Sequence, residues 1–213
     1  MKITHNSSEK EYIFREKNSQ IDCFHQIKHS LTLHLQDEAD ITYAVFLENA
    51  HLTLNIIAEK NAVKGQIFAF IPAQKNSRAS LNVQTHLQSS HAKVHIHLIA
   101  IQDEGAEVNM QGNITIAPNV EKVVGHLLEE VVLLGKAKHI SLQPILNVAS
   151  PDVQASHGAR VHRIPLEKLF YMQSRGLSAS AALKMIVDAL VEQILGNFQI
   201  SKAEKEEINQ FLR

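Results

Sequence analysis

The chain has 213 residues, a net charge of -1 and 45% hydrophobic residues. This length fits one domain with at most a small appendage, the hydrophobic share suffices for a folded core, and the near-zero charge argues against binding to nucleic acid or to an anionic membrane. The single cysteine, Cys23, excludes an internal disulfide framework and a cysteine-rich metal centre held by this chain alone.

The first 25 residues form a polar segment without the apolar core of a signal peptide. No apolar run in the chain reaches the roughly 18 residues that a membrane-spanning helix needs. We therefore predict a cytoplasmic protein. Cys23 lies in this polar segment, and nothing in the sequence around it supplies the cation or helix N-terminus that activates a thiol, so we interpret it as unreactive.

The next part of the chain consists of short runs in which apolar and polar residues alternate. Leu31, Leu33 and Leu35 alternate with Thr32 and His34, and comparable runs recur roughly every 9–15 residues. Alternation predicts half-buried β-strands, and no helical stretch separates the runs, which excludes a doubly wound α/β fold. An antiparallel sandwich and a parallel β-solenoid remain. The chain has 8 glycines and no Asn-Gly or Asp-Gly hairpin turn, which favours the solenoid.

The C-terminal part has helical periodicity. Pro165 in a first turn and Gly176 after the last one predict a short helix. A serine cap, Ser178 or Ser180, begins a longer helix with an apolar stripe, and a Ser201–Glu204 capping box begins the last one. The predicted organisation is, in chain order, a polar N-terminal segment, a β core and a helical domain: residues 1–25, 26–163 and 164–213.

The densest aromatic feature of the chain lies in the first of these helices and in the turn after it. Its members are Leu169, Phe170, Tyr171, Arg175 and Gly176. Two interpretations remain open: a core cluster that closes one end of the sheet or solenoid, and a docking surface for a partner on which Arg175 reaches a carboxylate.

Histidine is unusually frequent, with 13 in the chain. His95 and His97 share one face of a strand, and His86 and His91 lie nearby in sequence, so a metal-dependent enzyme on a β-solenoid is one hypothesis. A polar strand face that happens to contain histidine is the simpler interpretation, because no third ligand stands at a fixed spacing. The sequence contains neither a nucleophile elbow nor a phosphate-binding glycine loop, which argues against a serine hydrolase and against binding of ATP by this chain.

Four segments follow one another at compatible spacing between residues 121 and 195. They read LLG at 133–135, LQPILNV at 142–148, DVQASHGA at 152–159 and LFYMQSRGL at 169–177. In this order they resemble the C-terminal half of the SufB/SufD proteins of the SUF iron–sulfur cluster assembly system. The alternating strands before them are compatible with the β-helix of that family.

The resemblance implies a right-handed parallel β-helix followed by a C-terminal helical domain. It also implies a non-catalytic subunit that pairs with a SufB-like scaffold or with itself and is driven by a SufC-type ABC ATPase. In the family this ATPase docks on the C-terminal helices, so the resemblance assigns partner binding to the aromatic feature: Leu169, Phe170, Tyr171, Arg175 and Gly176.

The segment around His157 looks like SufD rather than SufB, and the resemblance makes His157 a candidate ligand of an iron–sulfur cluster shared across a subunit interface. The family's cysteine before the Ser-His pair is Ala155 here, and Glu129 and Gly158 stand where SufB has a cysteine and a glutamate. A single histidine cannot hold a cluster, so the isolated chain is expected to bind none stably. The alternative is a structural interaction module that has kept the fold and lost the cluster chemistry.

Overall fold

The computed structural model describes residues 2–60 and 62–212, in which thirteen strands form two parallel sheets. Successive strands alternate between the sheets, which we call the odd sheet and the even sheet. The odd sheet contains β1 (Lys2–His5), β3 (Asn18–His25), β5 (Asp40–Glu48), β7 (Lys64–Ala73), β9 (Lys93–Gln102), β11 (Val123–Leu133) and β13 (Val153–Arg163). The even sheet contains β2 (Glu11–Phe14), β4 (Lys28–Leu35), β6 (His51–Ala58), β8 (Arg78–Leu87), β10 (Glu107–Ile116) and β12 (His139–Val148).

Each strand pairs in parallel with the strand two positions further along the chain, so each coil adds one strand to each sheet. This is a parallel β-helix, which confirms the predicted solenoid and excludes the sandwich. Three helices follow: α1 (Leu166–Ser174), α2 (Ala179–Leu195) and α3 (Lys202–Phe211). No helix among the described residues is long and apolar enough to cross a membrane.

The polar N-terminal segment contributes β1, β2 and β3 to the two sheets, so the β-helix begins before residue 26, where the sequence placed its start. β1 and β2 have four residues each, too few to show an alternating pattern. β3 is buried on both faces, with Phe24 in the core between the sheets and Ile21 and Cys23 beneath the helices. Neither a four-residue strand nor a strand that is buried on both faces shows the alternation of apolar and polar residues from which the strands were predicted.

The main core lies between the two sheets. Every second residue of β8 points inward, and Ala79, Leu81, Val83 and Leu87 are all buried there. Burial of one large aliphatic side chain stabilises a fold by about 1.5–3 kcal/mol, so this stack of apolar layers is the main source of stability. The outward positions of the even sheet are mostly polar, with Ile13, Ile57 and Ile145 as exceptions, which explains the alternation in its sequence.

A second core lies on the outer face of the odd sheet, where the helices cover part of the strands from β3 to β11. Phe70, Ile99 and Val132 point outward from the sheet into this core, and Ile194 and Ile208 contribute to it from α2 and α3. The odd strands therefore carry apolar residues on both faces in this part. The helices thus cover a face of the β-helix and do not close its end.

The helix ends follow the predicted capping residues. Gly176, with a φ of +90°, ends α1, and its N–H donates to the carbonyl of Gln173 while the N–H of Leu177 donates to that of Met172. Ser178 caps α2 through its hydroxyl, and the Ser201–Glu204 capping box begins α3.

Gly112 lies at a point where β10 leaves no room for a side chain. A Cβ on Gly112 would lie 2.7 Å and 2.8 Å from the two Cδ atoms of Leu127, which is buried. We expect Gly112→Ala to lower the free energy of unfolding by about 1–3 kcal/mol, as overpacking of a core does. Urea unfolding measures this change.

Gly158→Ala is the matched control, because its Cβ would have Leu128 Cδ1 at 3.9 Å as its nearest neighbour. The explanation is wrong if both variants are equally stable, or if Gly112→Ala costs as much stability in a Leu127→Ala background as in the parent.

Candidate functional site

The C-terminal end of the β-helix is open. β12 and β13 pair on one side only, with β10 and β11, so each leaves a row of backbone groups without a strand partner among the described residues. They have 10 and 11 residues, whereas exposed edge strands are usually kept short. Val148 and Val161 are in register with buried inward residues, yet they are 45% and 48% exposed. This end can accept further strands.

His157 lies on β13 at this open end and faces the interior. Its partner in register on β11 is Leu127, which is buried between the sheets. Because no described strand follows β13 in the sheet, His157 is exposed. Among residues 2–60 and 62–212, no group of three or more His, Cys, Asp or Glu side chains could hold a metal ion. A metal ion or cluster at His157 would therefore need ligands from a second subunit.

Glu129 faces the same interior from β11, two residues beyond Leu127. It is fully buried, and its Oε1 accepts a hydrogen bond of 2.6 Å from the N–H of Gly112. Its Oε2 has no partner within the described part of the chain. Burial raises the pKa of Glu129 to about 7, so the carboxyl group changes charge near neutral pH.

The α1 surface, consisting of Leu166, Phe170, Tyr171 and Arg175, is strongly exposed. Leu166 is 82%, Phe170 73% and Tyr171 60% accessible to solvent, and Arg175 Cζ lies 5.4 Å from the centre of the Tyr171 ring. Leu169, in contrast, is half-buried against the second core. The interpretation of Phe170 and Tyr171 as core residues is therefore wrong, because α1 turns this face away from the sheet.

The histidines that suggested a metalloenzyme do not meet. His86 lies on the outward face of the even sheet, whereas His95 and His97 lie on the outward face of the odd sheet, on the other side of the core. His91 lies in the turn before β9, with a φ of +62°. The structure thus divides this group between two opposite surfaces.

A row of polar side chains crosses the outward face of the odd sheet. Gln66, His95, His126 and Ser156 are in register on four neighbouring strands. The ring centres of His95 and His126 are 5.0 Å apart, and Nδ1 of His126 is 2.7 Å from Oγ of Ser156. Burial, together with the nearby His126, lowers the pKa of His95. The row lines an open cavity of about 620 Å³.

Glu130 connects three strands beside this row. Its carboxylate lies 3.0 Å from Nε2 of His97 and 2.7 Å from the guanidinium of Arg160, and Nε2 of His162 is 3.6 Å away. Burial alone would raise the pKa of Glu130, but the hydrogen bonds from Arg160 and His97 lower it below its ordinary value. Glu130 therefore stays ionised and holds the last strands of the odd sheet together.

Cys23 is fully buried on β3, at the opposite end of the β-helix from β13. Burial raises its pKa far above the ordinary value of a thiol, so it stays protonated. It is one of the apolar contacts beneath the helices, which agrees with the interpretation of an unreactive thiol.

His126, Ser156 and the Glu130 cluster were not among the residues predicted from the sequence. The usable signal is the length of one coil: Gln66, His95, His126 and Ser156 are 29, 31 and 30 residues apart. A period of about that length points to neighbouring coils, but it does not fix the register that places the four residues in one row.

Comparison with known proteins matches this chain to one protein family. The family model for the SUF system FeS cluster assembly SufBD core domain matches residues 18–190, which is most of the chain. This match includes all strands from β3 to β13 and most of α2.

Curated relatives agree with this match. The iron–sulfur cluster assembly protein SufD of Escherichia coli is 26% identical over 173 residues, 80% of this chain and 41% of that protein. A SufBD family protein of Pyrococcus horikoshii is 30% identical over 131 residues, 61% of this chain and 29% of that protein. SufB of Bacillus subtilis is 24% identical over 93 residues, 44% of this chain and 20% of that protein.

The chain spans about two fifths of the length of SufD from Escherichia coli and a smaller share of the other two proteins. The family match nevertheless covers the β-helix from β3 to β13 and reaches into the helical domain. The match over residues 18–190 shows that this chain belongs to the SufBD core family of the SUF iron–sulfur cluster assembly system.

Proposed function

We propose that the protein is a non-catalytic, SufD-like subunit of an iron–sulfur cluster assembly complex. It pairs with a SufB-like scaffold or with a second copy of itself, and it docks a SufC-type ABC ATPase through its C-terminal helices. The observation that carries the proposal is the exposed aromatic α1 surface on a chain that matches the SufBD core family. The cytoplasmic location expected from the sequence stays a prediction.

The α1 surface has the composition of an interface. Aromatic residues and arginine are enriched where proteins bind one another, and clustered apolar exposure is uncommon on proteins that act alone. Phe170 and Tyr171 supply apolar area, and the Arg175 guanidinium over the Tyr171 ring stays accessible to a carboxylate of a partner. Gly176 ends the helix beside Arg175 and so fixes where this surface stops.

The open end of the β-helix supports pairing with a second subunit. Two long edge strands, β12 and β13, provide unpaired backbone groups, and Val148 and Val161 provide apolar area between them. The opposite end contrasts with this one: its edge strands β1 and β2 have only four residues each. Addition of strands from a partner to β12 and β13 would cover the apolar interior and pair their backbone groups.

His157 would contribute one ligand to a cluster formed at this interface. It faces the interior at the open end, so a subunit that extends the β-helix would approach its imidazole directly. The buried Cys23 at the other end of the β-helix cannot join it, and the remaining ligands must come from the partner. Any cluster held here would be transient cargo of the complex.

One observation favours the alternative, an interaction module without cluster chemistry. Glu129, at the position of the SufB cysteine, is fully buried and its Oε1 is occupied by the N–H of Gly112. In this alternative the α1 surface and the open end still bind partners, and His157 has no ligand role.

The substitution His157→Ala distinguishes the subunit that contributes a cluster ligand from the interaction module without cluster chemistry. We expect it to lower the iron and sulfide content of the complex assembled with a SufB-like scaffold and a SufC-type ATPase at least tenfold, because loss of one ligand exceeds the roughly 10–100-fold effect of a second-shell change. Its stability should be unchanged, because the exposed imidazole supports no packing. Iron and acid-labile sulfide are measured per purified complex.

His51→Ala is the matched control, since His51 is exposed at the start of β6 on the other sheet. Equal cluster content in the His157→Ala and His51→Ala complexes would show that His157 is not a ligand, and the interaction module would then be the correct function. Failure of the chain to form a complex with the ATPase, either together with the scaffold or as a pair with itself, would contradict the proposed function itself.

A further inference from the structure

We propose that His95 and His126 form a two-histidine site for a borderline divalent cation such as Cu²⁺, Ni²⁺ or Zn²⁺ on the outer face of the odd sheet. The site is separate from His157, which faces the interior of the β-helix from β13. It needs no partner subunit and stands independently of the proposed function.

The distance between the rings carries the inference. Two imidazoles that bind one ion at about 2.1 Å, with a tetrahedral angle between the two bonds, have ring centres roughly 5 Å apart. The centres of His95 and His126 are 5.0 Å apart, and the rings are inclined by 40°. The register of β9 and β11 produces this spacing, because the two residues are direct partners on neighbouring strands of a rigid sheet. The ring centres therefore already have the separation that a shared ion requires.

The second nitrogen of His126 is already oriented. Its Nδ1 lies 2.7 Å from Oγ of Ser156 on the next strand, which leaves Nε2 for a ligand bond. Histidines that bind metals in proteins usually have such a hydrogen bond on the nitrogen that faces away from the metal.

The surroundings define the kind of site. Both rings line an open cavity with Gln66, so water can complete the coordination of the ion. No third His, Cys, Asp or Glu joins the pair to complete a ligand set within residues 2–60 and 62–212. His97, two residues further along β9, is engaged with Glu130. Two imidazoles with water favour Cu²⁺, Ni²⁺ and Zn²⁺ over Mg²⁺ and Ca²⁺, which prefer oxygen ligands.

Calorimetric titration of the isolated full-length chain with Zn²⁺ and then with Cu²⁺ tests the inference. We expect one ion per chain at this site with a micromolar dissociation constant, and tighter binding of Cu²⁺ than of Zn²⁺. His95→Ala and His126→Ala should each weaken binding more than about tenfold. Ser156→Ala should weaken it by about tenfold, the effect of losing an orienting hydrogen bond.

His86→Ala on the even sheet is the control for adventitious binding to surface histidines, and it should bind as the parent does. The circular dichroism spectrum and melting temperature establish that each variant is folded. The inference is overturned if the parent binds neither ion, or if His95→Ala and His126→Ala bind with the affinity of His86→Ala. Neither result bears on the assembly function, because no partner is present in this experiment.

Discussion

Glu129→Gln is expected to make the protein more stable at pH 8.5 and to leave its stability almost unchanged at pH 4.5. Burial raises the pKa of Glu129 to about 7, above the ordinary 4.5 of a glutamate. The contribution of protonated Glu129 to the free energy of unfolding is therefore complete below pH 4.5, and it is lost as the pH rises through 7. The difference between the two pKa values corresponds to about 3 kcal/mol.

Glutamine stays neutral at every pH and keeps an oxygen that can accept the hydrogen bond from Gly112. Urea unfolding of both proteins across this pH range measures the gain. Glu107→Gln is the control of opposite sign, because the hydrogen bond from Lys138 lowers the pKa of Glu107 and its ionised form is the stabilising one. A gain for Glu129→Gln that is equal at both pH values would contradict the assignment of a raised pKa.

The double substitution Phe170→Ala with Tyr171→Ala is expected to weaken binding of a SufC-type ATPase at least 30-fold. Aromatic residues at the centre of an interface typically contribute 2 kcal/mol or more each, and about 1.4 kcal/mol corresponds to a factor of ten. Arg175→Ala should weaken binding by about tenfold, through loss of its contact with a carboxylate. All three side chains are exposed, so the melting temperature should not change.

Ile13→Ala is the matched control. Ile13 is 56% exposed on β2, at the other end of the β-helix from β13, and its truncation removes exposed apolar area from a surface without a proposed partner. An ATPase affinity that is the same in the α1 double variant and in Ile13→Ala would show that docking uses a different surface.

Much of the fold follows from local sequence signals. Most strands of the even sheet alternate because its outer face meets water, and the absence of Asn-Gly and Asp-Gly turns indicated a solenoid. The structure adds the reason why so few glycines suffice: Asn49, Asn76 and Asn119 occupy left-handed turn positions, with φ of 48°, 60° and 60°. Helix ends were predictable to within a residue or two, because caps such as Ser201 and Gly176 act locally.

The placement of the helices was not predictable from periodicity alone. Apolar runs such as 67–71 are compatible with any strand that is covered on both faces, and they do not say what covers it. The second core shows that the helices cover the outer face of these strands, since Phe70 on β7 and Ile194 on α2 are buried in the same cluster. Two of the aromatic residues on α1, Phe170 and Tyr171, stay exposed because this cluster is filled mainly by α2 and α3.

Some residues of the candidate sites were predictable from the sequence, and others were not. His157 and the residues around Phe170 were found through sequence segments that resemble a family, and the structure adds the open end and the exposed α1 surface. His126, Ser156 and Glu130 depend on the register between strands about 30 residues apart. Register of this kind is set by packing between coils, and no local pattern records it.

The most direct test of the account is a titration of a purified SufC-type ATPase from the same genome into this chain, monitored by calorimetry. The account predicts saturable binding of one ATPase per chain, because each chain has one α1 surface. Binding should persist when a SufB-like scaffold is present, since the open end and the α1 surface consist of different residues. Absence of binding both with and without the scaffold, while the chain remains folded, would contradict its role as a subunit of an iron–sulfur cluster assembly complex.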